Sequence, residues 1–166
     1  MMKKIDPILL AIIVIVIIII GGVFSVADFS GDTDIAKYQT DTEEKPKIEL
    51  SENTFDFGPI NVQDIKTKDV KIKNSGQKSL VLSGFTTSCN CTFVQLIQGD
   101  KESPRFSMHY TDPWQAEISP GEKAIVRVIY QPNLMPVQGS VSRSVVFKTN
   151  DPDNPSVNIS FTADVK

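Results

Sequence analysis

Val157-Asn158-Ile159-Ser160-Phe161-Thr162-Ala163-Asp164-Val165 alternates without a break between apolar and polar side chains. Successive side chains of an extended strand point to opposite faces, so this period puts one face in a core and the other in water. Val145, Phe147 and Thr149 repeat the pattern upstream, and Val70 and Ile72 alternate with Lys71 and Lys73. Ala124, Val126, Val128 and Tyr130 form another inward row, but Ile125 and Ile129 oppose them, which predicts a central strand covered on both faces.

Between these runs lie Asn74-Ser75-Gly76, Ser119-Pro120-Gly121-Glu122, Gln131-Pro132-Asn133 and Asp151-Pro152-Asp153-Asn154-Pro155. Asn, Asp, Gly and Pro punctuate strands because each supplies a turn geometry that other residues adopt at a cost. No helix-length amphipathic stretch follows residue 47. The expected fold is all-β, a sandwich of about seven to nine short strands. Gln98 to Glu117 has weak periodicity and is expected to be a long loop, a common place for function.

The chain of 166 residues does not devote all of its length to this domain. Pro7 to Ala27 carries no charge, and Ile8 to Ile20 is almost purely Ile, Leu, Val and Ala. About 20 such residues as a helix cross a hydrocarbon core of roughly 30 Å. Lys3 and Lys4 precede the stretch and acids follow it, so the N-terminus is expected in the cytoplasm and the rest outside. The expected organisation is a cytoplasmic N-terminus over 1–7, a transmembrane signal-anchor over 8–27, an acidic tether over 28–46 and the domain over 47–166. Ser25-Val26-Ala27 also resembles a small-x-small cleavage site, the competing reading. The absence of a cysteine near the end of the span speaks against a lipoprotein anchor.

Charge divides along the same lines. Residues 28–46 hold six acids against two lysines, whereas residues 47–166 hold 13 basic and 13 acidic side chains. An overall basic field of the kind that binds a phosphate backbone is therefore missing, and no nucleic-acid partner is expected. Lys66, Lys68, Lys71, Lys73 and Lys78 make one local excess, expected to be the solvated face of a hairpin.

Several short motifs recur in a familiar order: Phe55-Asp56-Phe57-Gly58, Lys73-Asn74-Ser75-Gly76 with Leu80 and Leu82, Ser88-Cys89-Asn90-Cys91-Thr92, Pro120-Gly121-Glu122, and Thr149-Asn150-Asp151-Pro152. In this order, over about residues 48–165, the chain resembles a bacterial membrane-attached or exported family of unknown function. That family is related to Hydin-type and major-sperm-protein-like immunoglobulin folds. The resemblance implies an immunoglobulin-like sandwich without established catalysis, and a Cys-x-Cys-Thr signature whose middle position is Asn90 here. Ser103 to Trp114, with Met108-His109, looks like an insertion found in one branch of the family.

Candidate chemistry centres on the chain's two cysteines, Cys89 and Cys91, and its single histidine, His109. This set is too small for a four-ligand zinc site of Cys and His. On a regular strand the two Cβ atoms lie roughly 6–7 Å apart. A disulfide needs about 3.5–4.5 Å. A strand therefore does not bridge them, although a turn at Asn90 does. Two same-facing thiols suit Cu(I), with Met108 or His109 completing the site if the long loop folds back. The other readings are small buried residues at a strand end, a local disulfide in an oxidising compartment, or a redox-active pair. Trp114 is expected to plug the core beneath the long loop. Asp151 and Asp153 read first as turn residues and only secondarily as calcium ligands. No enzyme is expected. The function expected is a membrane-anchored binding or scaffold module with a protein partner, and the alternative is a Cu(I) or thiol protein.

Overall fold

The long strands that carry Val70, Val126, Val145 and Ile159 follow from the period of two. The computed structural model describes residues 38–41, 43–110 and 113–166. The chain separates after Asp34, and its second unit, Ile35–Lys166, holds all the described residues. The proposed span over 8–27 and the first part of the tether lie outside them. Among the described residues no helix is long and apolar enough to cross a membrane.

Among the described residues ten strands make two sheets: β1 (Ile48–Leu50), β2 (Thr54–Ile60), β3 (Lys66–Asn74), β4 (Leu80–Thr87), β5 (Thr92–Gln98), β6 (Lys101–Glu102), β7 (Gln115–Ile118), β8 (Lys123–Tyr130), β9 (Gly139–Thr149) and β10 (Ser156–Val165). One sheet has the order β1-β3-β8-β5-β6 and the other β2-β10-β9-β4-β7. The expected seven to nine strands become ten because β1, β6 and β7 span only three, two and four residues. Such pieces are too short to carry a period of their own.

The row Val157, Ile159, Phe161, Ala163 and Val165 is buried throughout, and Asn158, Thr162 and Asp164 are exposed. It faces Val70, Ile72, Val126 and Val128 of the opposite sheet, all within one apolar core. Phe161 ties the layers together through rings at 5.4 Å (Phe55), 5.1 Å (Phe57) and 5.2 Å (Tyr130). As its pattern requires, β8 lies between β3 and β5, and Ile129 on its outer face is only 5% exposed. Outside that sheet Arg127 grips Asp69 through two hydrogen bonds of 2.8 and 2.9 Å, which hold the Asp69 carboxyl below its usual pKa.

The segment from Gln98 to Glu117 is not one long loop. Lys101–Glu102 pairs with the end of β5, Phe106 bridges Val94, and Gln115–Ile118 has crossed over to pair with β4. Phe106 is 1% exposed and packs on Phe85 and Trp114, at 5.0 and 5.1 Å between rings. Burial of these aromatics fixes a segment whose own period is weak. Trp114 thus packs against the core as the sequence predicts.

The strands define two ends. The chain enters the domain at one of them, beside Asn74-Ser75-Gly76, Ser119 to Glu122 and Asn150 to Pro155. A buried polar clamp closes this end. Asp151 is fully buried, and its carboxylate accepts from the Ile48 amide (3.0 Å), the Asn154 side chain (3.0 Å) and the Asp153 amide (2.9 Å). Asn74, also fully buried, accepts from the Lys47 and Gly76 amides and donates to the Lys78 and Ile118 carbonyls. Asn150 accepts from the Val81 amide and donates to the Ser79 carbonyl. The side chains of Asn74, Asn150 and Asp151 are thereby satisfied, the condition for burying them at all.

The last residues of the acidic segment belong to the same end. Glu44 meets Lys78 at 2.7 Å and Lys45 meets Asp153 at 2.8 Å. Gly76 is required there, because a Cβ would overlap the Lys45 carbonyl and the Lys47 amide.

Candidate functional site

The other end of the sandwich collects the features the sequence singled out. Here β4 leaves its sheet through Ser88–Cys91 and enters the opposite sheet as β5, with Thr92 paired to Tyr130. Cys89 and Cys91 are joined by a disulfide, with Cα atoms 5.2 Å apart. The chain turns at Asn90, which shortens the separation a strand would impose and allows the bond.

The turn is held on every side. Thr87 donates its hydroxyl to the Cys89 carbonyl at 2.9 Å and the Thr92 carbonyl at 3.0 Å. The Cys91 amide donates to Cys89 Sγ at 3.1 Å, and the Gln131 amide donates to the Cys91 carbonyl at 2.8 Å. The Ser88 amide donates to the Ser144 carbonyl, and the Ser144 amide returns a bond to Ser88 Oγ, both at 2.9 Å. The cystine thus staples the point where the chain changes sheets.

The disulfide changes the reading of Cys89 and Cys91 as same-facing thiols. Neither sulfur carries the thiolate that Cu(I) or a redox nucleophile needs. Cys89 is 6% exposed and Cys91 fully buried, so both are shielded from an attacking thiol. Met108 and His109 sit on an exposed turn that is anchored by Phe106 on one side. The Met108 carbonyl accepts from the Thr86 hydroxyl at 3.4 Å, which lays this turn beside β4. Among the described residues no three His, Cys, Asp or Glu side chains gather to hold a metal ion. Asp151 and Asp153 act as turn residues, their oxygens taken up by N–H donors and by Lys45.

Two features of this end were not singled out from the sequence. One is the connection after β8, where a 3₁₀ turn over Pro132–Leu134 leads into Met135, Pro136 and Val137. Leu134, Met135 and Val137 are 50%, 47% and 37% exposed. Ile65, 62% exposed, precedes Lys66, which pairs with Tyr130 at the same end. An apolar run between turn residues is the signal that marks this loop.

The other feature is Arg143. It falls on the inward face of β9 with buried Val141, Val145 and Phe147, the spacing that could have drawn attention to it. Tyr130, fully buried at the end of β8, lies within reach of its charge. Elsewhere, a cavity of about 820 Å³ runs between Tyr38–Asp41 and the β9–β10 connection.

A family model described as HYDIN/CFA65/VesB-like, Ig-like domain matches residues 46–164. No curated protein sequence matches the chain. A solved protein of unknown function from Porphyromonas gingivalis W83 is 23% identical, with a TM-score of 0.56 over 74% of this chain and 49% of its own. The chain therefore spans about half the length of that protein. A family 123 glycoside hydrolase from Clostridium perfringens is 8% identical, with a TM-score of 0.52 over 74% of this chain and 27% of its own. The ASH/PapD-like domain of human CEP192 is 10% identical, with a TM-score of 0.48 over 79% of this chain and 95% of its own. For the Porphyromonas gingivalis and Clostridium perfringens proteins the likeness is one of fold alone.

Proposed function

Because the chain belongs to the HYDIN/CFA65/VesB-like Ig-like domain family, we propose that it is a non-catalytic binding module that presents its far tip to a protein partner. The observation that carries this reading is the exposed apolar group Ile65, Leu134, Met135 and Val137. These residues stand at the end opposite to the one where the tether enters. Soluble domains seldom gather large apolar side chains on one exposed tip unless something covers them.

The uncharged stretch over 8–27 supplies the rest of the proposal: a single-pass anchor in the cell membrane, N-terminus inside, domain outside. The acidic tether over 28–46 joins this anchor to the domain.

A photo-crosslinking residue at Met135, compared with one at Asp153 in intact cells, tests the display reading. The expected result is a discrete adduct from position 135 and none from position 153. Equal labelling from the two positions, or none from position 135, removes the argument for the tip.

The second reading is Cu(I) binding by the reduced chain through Cys89 and Cys91, with Met108 or His109. The Thr86–Met108 contact supports it, because it places the loop beside the strand that leads to the cysteines. Thiolate ligation predicts uptake of one Cu(I) per reduced chain, weakening as pH falls, and none by the oxidised chain. Cys89→Ala/Cys91→Ala should abolish uptake and cost about 1–2 kcal/mol of stability, since the disulfide closes a very short loop. Cu(I) titration beside a urea melt checks both numbers, and a reduced chain that takes up no metal ends this reading.

A further inference from the structure

One side of the sandwich carries an open cleft that is separate from the apolar tip. β7 is the last strand of its sheet, and β6 is the last strand of the other. A cavity of about 540 Å³ opens between these two edges. Its lining includes buried Leu96, half-buried Trp114 and Ala116, and exposed Lys101, Glu102 and Glu117.

The backbone of β7 faces this cleft with groups that no strand occupies. In an antiparallel pair, residues alternate between those whose N–H and C=O point at the neighbour and those whose groups point away. The Val81 amide donates to Asn150 Oδ1 at 2.8 Å, and its carbonyl accepts from the Asn150 amide at 3.3 Å. Val81 thus turns its backbone away from β7, and so does Glu117, its partner in register. Gln115, two residues earlier and opposite Ser83, points the same way as Glu117. The Glu117 carbonyl accepts from Gln98 Nε2 at 3.1 Å, a side-chain amide that stands where the N–H of an added strand would stand. Among the described residues nothing meets the Glu117 amide or the amide and carbonyl of Gln115.

We propose that β7 is a docking edge for an extended peptide segment of another protein, which enters this cleft antiparallel to Gln115–Glu117 and displaces the Gln98 amide. Strand addition takes its affinity from main-chain hydrogen bonds and its selectivity from alternate side chains. Side chains opposite Gln115 and Glu117 lie on the wet face, and the one between them turns inward, on the side of Ala116 and Trp114. Opposite charges facing each other across a strand pair stabilise it and like charges do the reverse. The segment is therefore a cation opposite Glu117, then an apolar residue, then a polar one. The tip plays no part in this contact.

Trp114 is the chain's single tryptophan, so its emission reports on the cleft. The detergent-solubilised full-length chain is titrated with acetyl-Val-Lys-Val-Thr-Val-amide, and a saturable blue shift is expected. A twin peptide methylated on the Lys and Thr amide nitrogens keeps every side chain but loses both donors, and should bind at least about tenfold more weakly. Exchanging Lys for Glu in the peptide should weaken binding about fivefold. Gln98→Ala frees the Glu117 carbonyl and should tighten binding about fivefold. Glu117→Pro deletes an N–H that faces the cleft and leaves the bonds to β4 alone, a change that edge strands tolerate, and should weaken binding about tenfold.

No change in emission up to millimolar peptide, equal affinity for the methylated twin, or unchanged affinity in folded Glu117→Pro overturns the docking edge. If Glu117→Pro does not fold, the methylated twin on the parent chain and Gln98→Ala decide, and weaker binding to Gln98→Ala overturns the displacement. Equal affinity for the Lys and Glu peptides overturns the cationic partner.

Discussion

Asp151→Ala should lower stability by about 3–5 kcal/mol, because several N–H donors then face an apolar methyl group in a buried site. The Asp151 carboxylate joins two stretches of chain: β1 through the Ile48 amide, and its own turn through the Asp153 amide and the Asn154 side chain. Its neighbour Thr149 adds to the turn, accepting from the Asp151 amide at 3.0 Å and donating to the Asn154 carbonyl at 2.6 Å. Removing the carboxylate therefore frees the entry of the chain as well as the β9–β10 turn. Asp151→Asn keeps an acceptor and should recover part of the loss. Urea unfolding of the three proteins checks the order, with the midpoint as the readout. A loss below about 1 kcal/mol for Asp151→Ala would mean that the clamp is not holding the end together.

Phe161→Ala should cost about 3–5 kcal/mol, the range for a buried aromatic whose cavity collapses only in part. Phe161 is 1% exposed and touches rings from two other strands, β2 and β8. Asn158→Ala, three residues earlier on the wet face, should change stability by no more than about 0.5 kcal/mol. The contrast is read from the same urea melts. Similar small losses at both positions would place the wrong face of β10 in the core.

The parts of the fold that could be read in advance are those whose pattern is local. In β10 the alternation runs over ten residues, and in β8 the extra Ile125 and Ile129 announce a strand with neighbours on both sides. Between Gln98 and Glu117 the outcome depends on distant partners. Lys101–Glu102 is a strand only because β5 lies beside it, and Gln115–Ile118 only because β4 does. Two or four residues carry too little period to declare themselves.

The candidate site divides in the same way. Cys89 and Cys91 stand out in any reading of the chain, but their bond depends on the turn at Asn90, which a strand assumption conceals. Tyr130 and Arg143 belong to different sheets, so the placing of Phe161 beside both is a product of the sandwich. Asn74, Thr149, Asn150 and Asp151 were visible as turn residues and motif members. Their joint burial as one clamp follows from strands that bring positions 48, 74 and 151 to the same end.

The placement of entry and tip at opposite ends has a mechanical consequence. A load applied between the acidic segment and a partner at the tip runs along the strands and not across them. β2 and β10 lie parallel from Thr54↔Ser160 to Ile60↔Val165, so their hydrogen bonds are sheared together and cannot peel one at a time. Beneath them, β1 is only three residues long and is fastened at its first amide by Asp151. Under tension the short strand gives way first, lengthening the leash, while the longer strands keep the tip in shape.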